Sequence, residues 1–344
     1  MLFDLTNDQV EFRDSVRGLL SRRMTPTDLR ALWDAEGAGT RVLWHQLAEI
    51  GLLGMVVPET HDGAGGSHVE LALGLEQVGY HGVPDPVLET ACVAASAIET
   101  FGDEAVRNRW LPAIASGDAV ISVSLNDPPL VVHGAQADAV LVARGTQLHL
   151  VPADRAQWRP VASQDPTRRM AFGDFRLDDS TRLVDGAAAV ERVRSAARMS
   201  TASVLVGIAQ RLVDMTVTFV LQREQFGQVI GSFQALKHRL ADAAVAVEAA
   251  RSLTWYAAYA FSYEPGEASR SARAAKGSAS SAAAIANSAA LQLHGGIGFT
   301  WEDDLHLWLK RGQALERAHG SVSDHREAVG AQILDPPTPA LAGL

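Results

Sequence analysis

Residues 223–242 read REQFGQVIGSFQALKHRLAD, and the parsing of this stretch decides the fold. A long helix reaches the neighbourhood of Gly227, a short turn covers Val229 to Ser232, and a second long helix begins at Phe233. An Arg, a Phe and a Gln crowd this corner, where a plain bundle turn would carry small and polar residues. A second corner lies at Gly295-Gly296, after Gln292-Leu293-His294.

Upstream of the first corner, Val204, Ile208, Leu212, Met215 and Phe219 recur at helical spacing as one apolar stripe. Downstream, Phe233, Leu236, Leu240, Ala244 and Val247 form the next. Glu267 to Leu293 is dominated by Ala and Ser. Such a composition suits a linker or a close-packed helix, and we read a helix because Ala is the best helix former. Trp301 to Arg317 carries Leu305, Trp308 and Leu309. Residues 187–334 are therefore expected to be a four-helix bundle, and the Pro-rich tail 335–344 to be disordered.

Residues 1–117 also read as helical. Asn7 is placed to cap a first helix running through Phe12, Val16 and Leu20. Arg41 to Ile50 reads as a second helix, with Gly51 past its end. Val69 to Gly79, Thr90 to Phe101 and Asp103 to Ile114 follow, separated by a glycine loop at 63–66. Over 118–186 the texture changes to β-branched alternation. Ala119–Leu125, Ala139–Arg144, Gln147–Pro152, Trp158–Ala162 and Met170–Leu177 are expected strands of a small antiparallel β-domain. The fold class is thus mainly α with a small central β-domain, and the two helical parts must pack on each other.

With 344 residues the chain exceeds one compact core. A net charge of −10 and no basic run argue against nucleic acid as a partner. The single cysteine, Cys92, permits no intrachain disulfide or Cys-based metal site and fits a reducing cytoplasm. His238, His294, His306, His319 and His325 show no metal-ligand spacing, so no metal is expected. The N-terminus lacks the charged and apolar regions of a signal peptide, and we expect no apolar run long enough to span a membrane.

With two such corners on a helix–β–helix layout, nearly the whole chain resembles the acyl-CoA dehydrogenase family. The resemblance is carried by Arg223-x-x-Phe226-Gly227 with Ile230, Phe233-Gln234 and Leu240-Ala241-Asp242, and by Gln292 to Thr300. Pro58-Glu59 and Phe101-Gly102 add to it. It implies an oxidoreductase acting on CH–CH groups, which desaturates an acyl-CoA thioester with FAD. A carboxylate removes the α-proton, hydride leaves the β-carbon for the flavin, and the thioester oxygen is hydrogen-bonded as the enolate develops. It further implies a homo- or hetero-oligomer, a dimer or α2β2, in which Arg223, Phe226, Gln234, Gln292, Gly295 and Gly296 hold the ADP half of FAD across a subunit boundary. An electron-transfer flavoprotein is the implied electron acceptor. Taken singly the residues have blander readings: Arg223 as a surface ion-pair partner, Phe226 as core, Gly295-Gly296 as a helix cap and turn.

Two departures stand out. The family's Glu-Gly-Thr falls, by ungapped counting from the second corner, on His319-Gly320-Ser321. The alternative Glu-Arg on the first bundle helix falls on Ala197-Arg198, so that the supporting Arg198 is present and the Glu is absent. His319 is then the candidate base, since imidazole is substantially neutral at pH 7, or else merely a loop histidine; Glu316 and Glu191 are the neighbouring carboxylates. The flavin-side stretch of the β-domain becomes Ser124 to Leu130, and a hairpin is shortened to Val131–Ala137. This resembles the short actinobacterial-type subunits of heteromeric acyl-CoA dehydrogenases, which imply lipid or sterol degradation. Three readings stay open: an active enzyme, a flavin-contacting subunit deficient in catalysis, and a helical structural protein without flavin.

Overall fold

The computed structural model describes residues 4–35, 41 and 43–334. The tail 335–344, expected to be disordered, lies outside them. The N-terminal region carries α1 (Asn7–Arg23), α2 (Pro26–Asp34), α3 (Trp44–Glu49), α4 (His68–Tyr80), a π-helical turn (Leu88–Ala94) running into α5 (Ala95–Phe101), and α6 (Glu104–Ser116). Strands β1 (Ile121–Ser124), β2 (Leu130–Val131), β3 (Ala139–Arg144), β4 (Gln147–Pro152), β5 (Ala156–Pro160), β6 (Ala171–Phe175) and β7 (Arg182–Asp185) follow. The C-terminal region is built from α7 (Ala187–Gln222), α8 (Gln234–Tyr263), α9 (Ala268–His294), α10 (Leu305–Arg317) and α11 (Val322–Leu334).

Local chemistry sets the first boundaries. The cap of α1 is Thr6 rather than Asn7: its hydroxyl accepts from the Gln9 N–H while the Gln9 side chain accepts from the Thr6 N–H. Helix α2, absent from the sequence expectation, begins with the same device, Thr25-Pro26 closed by Asp28. The helix expected from Arg41 is confined to α3.

The strands form a four-stranded sheet, β1-β3-β4-β7, and a three-stranded sheet, β2-β6-β5. All pairs in them are antiparallel except β1 with β3, which is parallel, with Ile121 opposite Ala139. The reason is topological. The chain leaves β1, crosses to the second sheet as β2, and returns, so β3 enters in the direction of β1.

The Ala- and Ser-rich stretch is helix α9, with Ala272, Ala275, Ala279, Ala283 and Ala290 fully buried against its neighbours. Helix α7 is, by length and composition, apolar enough to cross a membrane, contrary to the expectation that no such run exists. In this fold it is the central helix, packed against α4, α8 and α9. The α4–α7 contact joins the two helical regions at backbone distance. A Cβ on Gly79 would stand 2.0 Å from the Val204 carbonyl oxygen, and one on Gly207 would stand 1.9 Å from that of Glu76. Glycine is required there by contact, and the two positions set the helix spacing on which every site below depends.

Gly207→Ala is therefore expected to destabilise the protein by about 1–3 kcal/mol, net of its gain in helix propensity. Gly266→Ala, where an added Cβ meets nothing within 4 Å, serves as the control. Urea unfolding of both variants checks this, and equal midpoints would show that the α4–α7 spacing is not limiting.

Candidate active site

The first corner has the geometry of an extended finger. Helix α7 closes with the Arg223 N–H donating to Phe219 O at 2.9 Å. A minimal hairpin pairs Glu224-Gln225 with Gln228-Val229. Its tip residues Phe226 and Gly227 both have positive φ, 56° and 78°, as a tight hairpin turn demands. The turn leaves the Phe226 ring 88% exposed, at 6.2 Å edge-to-face from Phe233. At the second corner, Gly295 takes φ 65° and ψ −141°, a region open to glycine. His294 stacks on Phe219 at 4.3 Å and donates Nδ1–H to Ala290 O at 2.8 Å, flooring the space between the corners.

That space is a cleft of about 790 Å³ lined by Arg223, Phe226, Phe233, Arg239, Gln292 and Gly295, among others. Five of the six expected arm residues line it, Gly296 included. Gln234 does not: it opens α8 on the exposed surface outside the lining. Arg239, not singled out from the sequence, takes a place in the wall. Among the described residues, neither the Arg223 nor the Arg239 guanidinium has a side-chain partner, and Cβ atoms added at Gly295 and Gly296 would meet nothing within 4 Å. Two unpaired guanidiniums beside a backbone without side chains, under an exposed ring, fit the dinucleotide end of FAD.

A second cavity, about 210 Å³, lies where the three regions meet. Glu89 and Val93 of the π-helical turn, Asn126 beyond β1, Arg168 before β6, Thr201 of α7 and His319 all reach it. The expected base, His319, is thus in the central cavity, with φ 61°. Burial, reinforced by the charges of Lys276, Arg168 and Arg198, pushes its ring down to about 3. It is neutral at any physiological pH and holds a proton weakly.

The other expected groups are turned elsewhere. Arg198 donates to Glu191 Oε1 at 2.7 Å, an oxygen also claimed by Ser269 and Arg273 at 2.8 Å. Burial alone would raise the Glu191 carboxyl, but Arg198, Ser269 and Arg273 hold it below the ordinary range. Arg198 and Glu191 therefore serve each other and are not on the cavity wall. Burial raises Glu316, and its backbone carbonyl accepts from the fully buried Lys276 at 3.0 Å.

Two wall residues escaped sequence reading. Burial pushes the Glu89 carboxyl up to about 7, against the smaller opposing effects of its own backbone N–H, Arg168 and Arg311. The available signal was its isolation: it is the lone charged residue between Val87 and Ile98. Arg168 has no comparable signal, because it is placed by a distant contact. Arg311 of α10 donates Nε–H to Asp165 at 2.7 Å, Nη1–H to the Gly82 and Val83 carbonyls at 3.0 and 2.6 Å, and Nη2–H to Thr167. Asp165 also accepts from the Thr167 N–H at 3.1 Å, closing the turn that carries Arg168.

Comparison with known proteins agrees with this geometry. Residues 6–118 match the acyl-CoA dehydrogenase N-terminal domain and residues 185–334 the acyl-CoA dehydrogenase C-terminal domain. Acyl-CoA dehydrogenase IpdE2 of Mycobacterium tuberculosis is 34% identical over 333 residues, covering 96% of this chain and 94% of that protein. Its namesake from Mycolicibacterium smegmatis is 34% identical over 345 residues, covering 99% and 98%. A variant of the Tcur3481-Tcur3483 steroid ACAD superposes with a TM-score of 0.85 at 29% identity, covering 95% of this chain and 98% of that one. The chain belongs to the acyl-CoA dehydrogenase family, whose cofactor is FAD.

Arg311→Met leaves the buried Asp165 carboxylate without its charge partner and is expected to cost about 3–5 kcal/mol, with part of the loss recovered by adding Asp165→Asn. A double-mutant cycle from urea unfolding measures this; strictly additive losses would show that the two side chains are not coupled.

Proposed function

We propose that this chain is one subunit of a FAD-dependent acyl-CoA dehydrogenase built from dissimilar chains and acting on CoA thioesters of bulky, steroid-derived acids. Its 223–233 finger and Gly295-Gly296 corner cover the dinucleotide half of a flavin whose ring is seated in the neighbouring subunit. The carrying observation is the contrast between the two cavities. The arm cleft, about 790 Å³, is open and holds two unpaired guanidiniums; the central cavity, about 210 Å³, lacks a carboxylate at both usual positions. The 34% identity to an acyl-CoA dehydrogenase and the likeness to a steroid ACAD named for two components support the substrate class and the mixed assembly.

In the bound state FAD supplies the hydride acceptor. The roles of this chain's residues follow from their chemistry. Arg223 and Arg239 would pair with the pyrophosphate, Gly295 and Gly296 would let the ligand approach the backbone, Gln292 would offer a polar side chain, and the exposed Phe226 ring would supply an aromatic surface. Exposed rings at the finger tip, Phe226 at 88%, and in the chain after the second corner, Phe299 at 75% and Trp301 at 60%, are the kind of surface that a partner covers. The open, cationic cleft favours this reading over a structural protein without flavin. On this reading the units meet near residues 117 and 186, and electrons leave for an electron-transfer flavoprotein.

The test is the mass and FAD count of the chain made alone and of the chain made with a larger dehydrogenase subunit. We expect little flavin in the first case and one FAD per pair of dissimilar chains in the second. Arg223→Gln and Arg239→Gln are each expected to weaken FAD retention about 10–100-fold, the worth of a charge-assisted hydrogen bond. One tightly held FAD per chain in the protein alone, with turnover of an acyl-CoA, would overturn the mixed assembly.

A further inference from the structure

The central cavity holds an acid and a cation in a configuration that the family's usual base positions do not explain. Glu89 reaches it from the π-helical turn of the N-terminal region and Arg168 from the β-region, across a wall that includes Leu88, Val93 and Leu315. Among the described residues, neither side chain forms a hydrogen bond or ion pair with another side chain. Each feels the other's charge across the cavity. Two such groups, half-buried on one cavity wall and without side-chain partners, are suited to a ligand that completes them.

We propose that Glu89 takes up the α-proton of a CoA thioester seated in this cavity, and that Arg168 donates a hydrogen bond to the enolate oxygen that results. The inference rests on the proposed function only for the choice of a CoA thioester. The Cα–H bond breaks, the proton passes to a Glu89 carboxylate oxygen, and the electron pair stays on the thioester as an enolate. No oxidant is required. When the proton returns from Glu89, the net change is exchange of the α-hydrogen with solvent.

Three observations favour Glu89 over His319. Glu89 sits at about 7 and His319 at about 3, so the carboxylate binds a proton about 10⁴-fold more tightly, and a base near the working pH is the more effective one. Arg198 and Glu191 are committed to each other, which leaves the second usual position without a base. The π-helical winding of Leu88–Ala94 is a form found frequently at functional sites. The charged groups that bear on Glu89 are Arg168 and Arg311, with Arg317 and the neutral His319 on the same wall. Glu89 must be ionised to accept a proton. Exchange is therefore expected to rise with pH to a plateau above about 7, and to be lost as pH falls below it.

The experiment incubates the protein, assembled with a larger subunit whose own base carboxylate has been replaced by its amide so that only this chain's cavity can exchange, with butanoyl-CoA in D₂O and follows α-deuteration by mass spectrometry. FAD count and native mass are measured on the same samples. Glu89→Gln should lower exchange about 10²–10⁴-fold and abolish its rise near pH 7, and Glu89→Asp should restore part of it. Arg168→Met should slow exchange while keeping the dependence on Glu89. His319→Ala should change it by less than tenfold. Thermal melts of the Glu89 variants matching wild type separate chemistry from folding. Exchange retained in Glu89→Gln, loss confined to His319→Ala, or no exchange by the wild-type assembly between pH 6 and 9 each overturns the inference. Exchange in a protein with the wrong mass or FAD count overturns the assembly instead and leaves Glu89 in place.

Discussion

The guanidinium of Arg311 is where the three regions of this protein are tied together. From a bundle helix it reaches two carbonyls of the N-terminal region, at Gly82 and Val83, and a carboxylate and hydroxyl of the β-region, at Asp165 and Thr167. Its planar fork can serve all of these at once, where an ammonium could not. Burying such a pair contributes little net stability, because desolvation offsets attraction. Its effect is on register. With Arg311 engaged, the Asp165 turn can sit in one place only, and that place points Arg168 into the central cavity. The neighbouring Trp308 adds to the same tie by donating Nε1–H to Tyr80 O at 3.0 Å.

Small residues perform the complementary task. Helices α4, α7 and α9 approach closely because Gly79, Gly207 and the alanines of α9 remove the side chains that would keep them apart. A bundle packed at that spacing is stiff, so the two corners at its end are held at a fixed separation. The finger at 223–233 can then be short and exposed, since its base is anchored in the last turn of a 36-residue helix.

Much of this was legible from local pattern. The helical periodicities before and after Phe226, the Ala-rich α9 and the glycine corner all write their structure into neighbouring residues, and Arg223 and Gly295 stand where that pattern put them. What escaped was set at long range. The parallel β1–β3 pair depends on a crossover to a second sheet, which no short window records. Arg168 is oriented through Arg311, more than a hundred residues away. Ala235, Leu236 and Arg239 share the face of α8 that lines the cleft, and Gln234 falls outside it, a choice of face that no short window records. The start of α2 is local by contrast: Thr25-Pro26 with Asp28, and Leu29 and Leu32 behind them, write that helix into neighbouring residues.

The chemistry of residue 319 follows from its surroundings rather than from its identity. Lys276, Arg168 and Arg198 bear on it together, a field suited to an ionised carboxylate. With imidazole in that position the same field, added to burial, expels a proton instead of holding one. A protonated His319 would add another cation beside Lys276, Arg168 and Arg198, so the neutral ring is the favoured state. At Glu89 burial outweighs the opposing charges of Arg168 and Arg311, which leaves its carboxyl near neutrality. One cavity thus sets Glu89 and His319 about four pKa units apart through their surroundings, and the group left near neutrality is the one the family's usual pattern does not mark.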